Sequence, residues 1–303
     1  MSQQPVAPNA ATRALDPVAA AIVVVLCLSW GFNQVAVKLA LHDVPPLIQG
    51  ALRSTAAAIL VALWAKARGQ ALFGRDHSLW PGLAAGAAFG IEFILIYQGL
   101  LYTTATRAVL FIYLAPFFVV LGGRIFLPVD RFNLQQWIGL GLAFAGMLVA
   151  FGVPTPALDP RQWLGDIMMA VAGAFWAATT LIIKASKLNR ASSEKVMLYQ
   201  LVVSAPMLAL AAWVVGDKVV RWPDALAVGS MLYQTVWVVS ITFVIWFALI
   251  LKYSANRLSA FTFLTPLFGV AAGHFVLGEP MTGAFAAAVV LVAGGLVLVN
   301  RAK

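Results

Sequence analysis

Long apolar runs and short polar breaks alternate along the whole chain. A helix needs roughly 20 mostly apolar residues to cross the hydrocarbon core of a bilayer. Runs of that length lie at roughly 17–40, 46–65, 79–101, 106–127, 133–152, 162–184, 194–215, 227–251, 256–277 and 281–300. The breaks, such as "KARGQALFGRDHS" and "VPTPALDPRQ", are too short to hold a soluble domain. The pattern predicts an all-α integral membrane protein with ten transmembrane helices, spans 1 to 10. Residues 1–16 are polar, small and proline-bearing, which reads as a disordered cytoplasmic tail. The run from Val18 leads into Trp30, Asn33 and Lys38 without a small-residue cleavage site, so it reads as a retained span and not a signal peptide.

Two runs share an awkward pattern. "TATRAVLFIYLAPFFVVLGG" (104–123) returns as "SANRLSAFTFLTPLFGVAAG" (254–273), with eight of twenty positions identical, Arg107/Arg257 and Pro116/Pro266 among them. Trp30 and Lys38 likewise recur 146 residues on as Trp176 and Lys184, and "LAFAGMLVA" (142–150) resembles "VLVAGGLVL" (290–298). Residues 17–152 and 162–300 therefore read as two copies of a five-helix repeat. Five is odd, so the second copy must be inverted in the membrane relative to the first. Inverted repeats are a transporter signature, because two like halves can exchange conformations around a site at mid-depth. Pro116 and Pro266 then sit at matching depths. A paired hinge or gate is one reading of them, and ordinary helix packing is the other.

Composition agrees with lipid as the solvent. The chain has 303 residues, 62% hydrophobic and 10% charged, with a mean hydropathy of +0.91, whereas soluble domains run about 25% charged. The net charge of +9 sits on no soluble segment large enough to bind nucleic acid. It reads instead as the Lys/Arg excess that membrane proteins keep on the cytoplasmic side. With the N-terminus inside, fourteen Lys and Arg fall on the cytoplasmic side, five on the other, and Arg53 within a span. That asymmetry predicts an N-in, C-in multi-pass protein. The lone cysteine, Cys27, can form no intrachain disulfide.

Polar groups at mid-depth are costly, and so mark candidate sites. Arg53 in span 2 and Glu92 in span 3 stand out as intramembrane ionisable residues. One reading is an interhelical ion pair, or Arg53 snorkelling to a helix end. The other makes Glu92 a proton carrier or a contact for a substrate ammonium. Asn33 and Gln34 follow Trp30 in span 1, and Thr179 and Thr180 follow Trp176 in span 6. These amides, hydroxyls and indoles suit a polar small-molecule substrate, with interhelical hydrogen bonding as the competing account. Tyr113 and Trp237 add aromatic surface near mid-depth. No G-x-x-x-x-G-K-[ST] run is present, and His42, His77 and His274 lie far apart, so neither a nucleotide cofactor nor a metal site nor an enzyme is expected. No repeated filter motif suggests a channel.

"LSWGFNQVAVK" (28–38), "ALRSTAAAI" (51–59), "YQGLLYTTATRAVLFIYLAPFFVVLGGRIFL" (97–127) and "LGEPMTGAFAAAVVLVAGGLVLV" (277–299) together resemble the drug/metabolite transporter superfamily, in its ten-helix EamA-type branch. The resemblance implies a bacterial inner-membrane exporter of small metabolites, such as amino acids, nucleosides or drugs. Among such exporters the chain is similar to those for aromatic amino acids. One place departs from the pattern. The family often carries an acid after span 4, as Glu279 follows span 9, but here the nearest is Asp130, after Leu127-Pro128-Val129.

Overall fold

The computed structural model describes residues 14–72, 74, 76–127, 130–153 and 160–301. Among them, ten helices are long and apolar enough to cross a membrane. They are span 1 (Pro17–Leu41), span 2 (Pro46–Ala67), span 3 (Leu79–Gly99), span 4 (Ala105–Phe126), span 5 (Leu134–Phe151), span 6 (Arg161–Ala185), span 7 (Ser193–Val215), span 8 (Ala225–Lys252), span 9 (Ala255–Leu277) and span 10 (Ala284–Arg301). Most of the expected tail, residues 1–13, and most of the break between spans 5 and 6 lie outside the described residues. The last tail positions are packed: Leu15 is buried, and its backbone exchanges hydrogen bonds with the Asn300 side chain at 3.3 and 3.2 Å. The first and last spans therefore share one face.

Local chemistry sets the helix ends. Asp16, Asp224 and the Asn133/Gln136 capping box accept the free N–H groups at the starts of spans 1, 8 and 5. Thr104 and Ser254 cap spans 4 and 9 from matching places in the two halves. Gly216 and Gly278 close spans 7 and 9 in the left-handed conformation that glycine adopts without strain.

Spans 4 and 9 are each broken. Span 4 consists of Ala105–Ile112 and Ala115–Phe126, and span 9 of Ala255–Phe261 and Leu264–Leu277. The joints are tight turns in which Leu114 N–H bonds Phe111 O at 3.2 Å and Phe263 N–H bonds Ala260 O at 3.2 Å. Pro116 and Pro266 stand just beyond them, in the first turn of each second segment. A proline there removes an N–H that has no intrahelical partner, and its fixed φ suits a helix start. The helix is restarted ahead of the proline, which explains how the chain keeps it twice. Span 8 is irregular in another way, since Tyr233–Thr242 winds as a π-helix.

Packing between the halves follows a swap rule. Span 1 packs on the second segment of span 9, and span 6 on the second segment of span 4. Span 3 packs on span 6, and span 8 on span 1; span 3 on span 7, and span 8 on span 2. Spans 2 and 7 pack on each other, as do spans 5 and 10. Exchanging each span for the one five places on returns these same pairs. Ser54 and Ser204, 150 residues apart, meet across the contact of spans 2 and 7 with Oγ atoms 3.4 Å apart. Spans 5 and 10 approach to backbone contact. A Cβ on Gly139 would lie 2.6 Å from Gly295 O, and one on Gly295 2.5 Å from Gly139 O, the small-residue packing that lets membrane helices associate.

Candidate functional site

Trp30 of span 1 faces span 8. Trp30 donates its indole N–H to Thr242 Oγ1 at 2.9 Å and packs against Phe243 and Trp246. Trp237 donates to Ser29 Oγ at 3.0 Å, and Tyr233 OH to Ser29 O at 3.0 Å. All of these partners but Trp246 lie on or next to the π-helical stretch, whose wider turn re-aims side chains that a regular helix would space differently. Trp237 is 41% exposed and borders an open apolar groove of about 530 Å³ between the first half of span 1 and span 8. Gln34 is also exposed, beside Gly269 of span 9.

The second cluster joins spans 4, 6 and 9. Tyr113, at the joint of span 4, meets Trp176 edge-on at 5.7 Å and Phe263, at the joint of span 9, at 6.2 Å. The Thr265 hydroxyl lies beside Cys27 and Tyr113. Asn33 Oδ1, Thr179 Oγ1 and Thr265 Oγ1 are sealed from solvent and have no hydrogen-bond partner. Asn33 and Thr179 hold matching places, 146 residues apart, in spans 1 and 6.

Arg53 and Glu92 do not form the expected direct ion pair. Arg53 is 4% exposed, so it does not snorkel; its guanidinium lies 4.6 Å from the Phe93 ring centre, and its Nε has no partner. Glu92 is 7% exposed and feels the Arg53 charge through space. The intramembrane ion pair lies elsewhere: Arg107 of span 4 grips the Asp166 carboxylate of span 6, which also accepts from Thr103 Oγ1 at 2.6 Å. Asp166 stands six residues into span 6, and only the assembled structure brings it to Arg107.

The two ends are tied alike. On the face opposite the termini, Lys38 of span 1 bonds Glu279 beyond span 9 at 2.6 Å. On the terminal face, Asp130 beyond span 4 accepts from Ser254 Oγ at 2.7 and 2.9 Å, and its carbonyl from Asn256. Burial pushes the Asp130 carboxyl above the ordinary aspartate range, against those hydrogen bonds and the nearby charges of Lys184 and Arg257. Lys184 donates to Tyr253 O at 2.7 Å. Lys38 and Lys184 are the repeated lysines, but only Lys38 bonds the acid directly; Lys184 holds the Tyr253 carbonyl, and Ser254 holds Asp130. Asp130, like Glu279, thus ties the end of a broken span to the other half, through Ser254 and Asn256 in place of a lysine.

Ten apolar spans in two like sets, broken spans meeting at a polar and aromatic interior, and ties between the sets at both faces make this a multi-pass membrane transporter. A solved crystal structure superposes with a TM-score of 0.80 at 20% identity, covering 93% of this chain and 96% of its own, so the fold is one already seen. The model of the EamA-like transporter family matches twice, over residues 18–152 and 163–301, and the chain belongs to that family. It is 26% identical over 279 residues to "Uncharacterized transporter YvbV" of Bacillus subtilis, covering 91% of this chain and 89% of that one. It is 27% identical over 293 residues to "Probable amino-acid metabolite efflux pump" of Escherichia coli, covering 93% of each. A shorter match, 29% over 143 residues, links it to "Riboflavin transporter" of Rhizobium johnstonii, over 46% of this chain and 45% of that one.

Proposed function

We propose that the protein is a secondary transporter that exports small metabolites, foremost amino acids including aromatic ones, by alternating access. In this reading the halves 17–152 and 162–300 are inverted in the membrane, both termini are cytoplasmic, and the bilayer is the bacterial inner membrane. The observation that carries it is the swap rule of the packing. Two like halves that pack by the same rule can exchange conformations, so each departure from the symmetric arrangement has a counterpart of similar energy in which the two faces trade places. The joints ahead of Pro116 and Pro266 supply the hinges, since a tight turn between two helical segments absorbs backbone rotation without breaking a regular helix. Trp30, Asn33, Gln34, Glu92, Tyr113, Trp176, Thr179 and Trp237 are the substrate-facing set. Support for the solute class comes from the relative named as an amino-acid metabolite efflux pump, and from the aromatic lining of the interior.

The test is counterflow. Purified protein in liposomes loaded with one unlabelled solute is given a trace of the same solute, labelled, outside. A carrier accumulates label above its external level until the internal solute drains, and a screen of amino acids, nucleosides, riboflavin and cationic drugs ranks the substrates. Amino acids are expected to lead. Simple equilibration without overshoot for every solute would point to a channel-like facilitator.

A further inference from the structure

Nearly every buried charge among the described residues has a partner. Arg107 has Asp166, Lys195 has Asp76, Glu194 has Arg68, Asp43 has Arg221, Lys184 has Tyr253 O and Asp130 has Ser254. Arg53 and Glu92 are the exceptions, with neither a hydrogen bond nor an ion pair. They sit on neighbouring spans, and the Arg53 guanidinium lies 4.6 Å from the ring centre of Phe93, the residue next to Glu92. Opposite charges that near in an apolar medium would be expected to close on each other. Here the guanidinium rests on the Phe93 ring instead, and the carboxylate stays open.

Further buried amides lie on spans 2, 7 and 8. Gln49, one turn before Arg53, accepts from Gln234 Nε2 at 3.1 Å, while Gln200 Oε1 and Gln234 Oε1 are buried without a donor. From Arg53 a chain of aromatic rings crosses to span 1. Phe93 meets Phe89 at 4.8 Å, Phe89 meets Phe243 at 6.1 Å, and Phe243 meets Trp30 at 5.5 Å.

We infer that Arg53 and Glu92 are the two poles of a site for a free α-amino acid, one with both ends unmodified. Arg53 takes the carboxylate, for which a guanidinium offers a planar set of donors. Glu92 takes the ammonium. A side chain with an aromatic or other apolar surface lies along Phe93 and Phe89, where the rings can stack or meet edge-on. One zwitterion then satisfies both unpaired charges and leaves none uncompensated in the membrane. This inference rests on the transport reading for its purpose, but not for its chemistry.

The probes are L-phenylalanine, its methyl ester, which lacks the carboxylate, and N-acetyl-L-phenylalanine, which lacks the ammonium. Their protection of the detergent-purified protein against thermal unfolding reports binding without transport. Free phenylalanine should protect at a concentration at least tenfold below either derivative. In Arg53→Gln the preference over the methyl ester should vanish while that over the N-acetyl form remains, and Glu92→Gln should show the reverse. A merely structural role would weaken all three ligands together. Equal protection by the three in the unsubstituted protein, or none by free phenylalanine, overturns the inference whether or not the variants fold. Selective protection without counterflow of any solute leaves the site standing and removes the transport reading. Counterflow of phenylalanine with both derivatives competing equally does the opposite.

Discussion

A buried polar atom left without a partner costs about 1–3 kcal/mol, so three of them on spans 1, 6 and 9 need a reason. Asn33 Oδ1, Thr179 Oγ1 and Thr265 Oγ1 come from spans 1, 6 and 9. If they are reserved for a solute, removing one should cost function and not stability. Thr179→Val is expected to leave the unfolding midpoint unchanged or slightly raised, because the lost hydroxyl satisfies nothing in the resting protein. Counterflow should fall several-fold. Trp176→Phe, which keeps a ring against Tyr113 but removes the indole N–H, should weaken transport with little effect on folding. Unchanged kinetics in both variants would mark this cluster as packing alone. Trp30, Asn33, Trp176 and Thr179 were legible because repetition at a fixed spacing exposes polar positions that a single copy would hide. Ser29 was not, since its role depends on Trp237 and Tyr233 reaching it from span 8. The pairing of Arg107 with Asp166 was hidden for a similar reason: its partners sit on spans 4 and 6, and no local pattern couples them.

At the scale of elements, span limits could be read to within a few residues because hydropathy and the caps agree. The two joints were signalled by proline, yet displaced from it. Proline is tolerated where a helix begins, so the chain breaks one turn earlier. The π-helical stretch of span 8 left no mark in "YQTVWVVSIT", whose composition suits an ordinary helix equally well; only its surroundings select the wider turn. The end ties belong to this scale too. Lys38 with Glu279, and Ser254 with Asp130, each join one half to the loop after a broken span of the other, and Lys184 holds Tyr253 O beside the second tie. If the spans move as gates, bridging Lys38→Cys and Glu279→Cys with a bifunctional thiol reagent should stop counterflow, as should bridging Asp130→Cys and Lys184→Cys. The unbridged double variants should retain measurable exchange. Full transport through a bridged protein would show that these ends do not open.

For the whole molecule, the apolar runs marked the number of helices, while the interior remained out of reach. Apolar runs record that a helix meets lipid or other helices, without saying which. The swap rule needed the assembled structure, and with it the meaning of the symmetric lysines. The central claim is that the two faces open in turn, and distances between spin labels test it most directly. One pair, at Leu41 and Met281, flanks the Lys38–Glu279 tie. The other, at Arg131 and Lys187, flanks Asp130 and Lys184. Measured in liposomes with and without a solute that passes the counterflow screen, each pair should show a short and a long population. Solute should shift the two pairs in opposite directions, one face closing as the other opens. Both pairs lengthening together, or a single distance at each that no solute changes, would contradict alternating access in this protein.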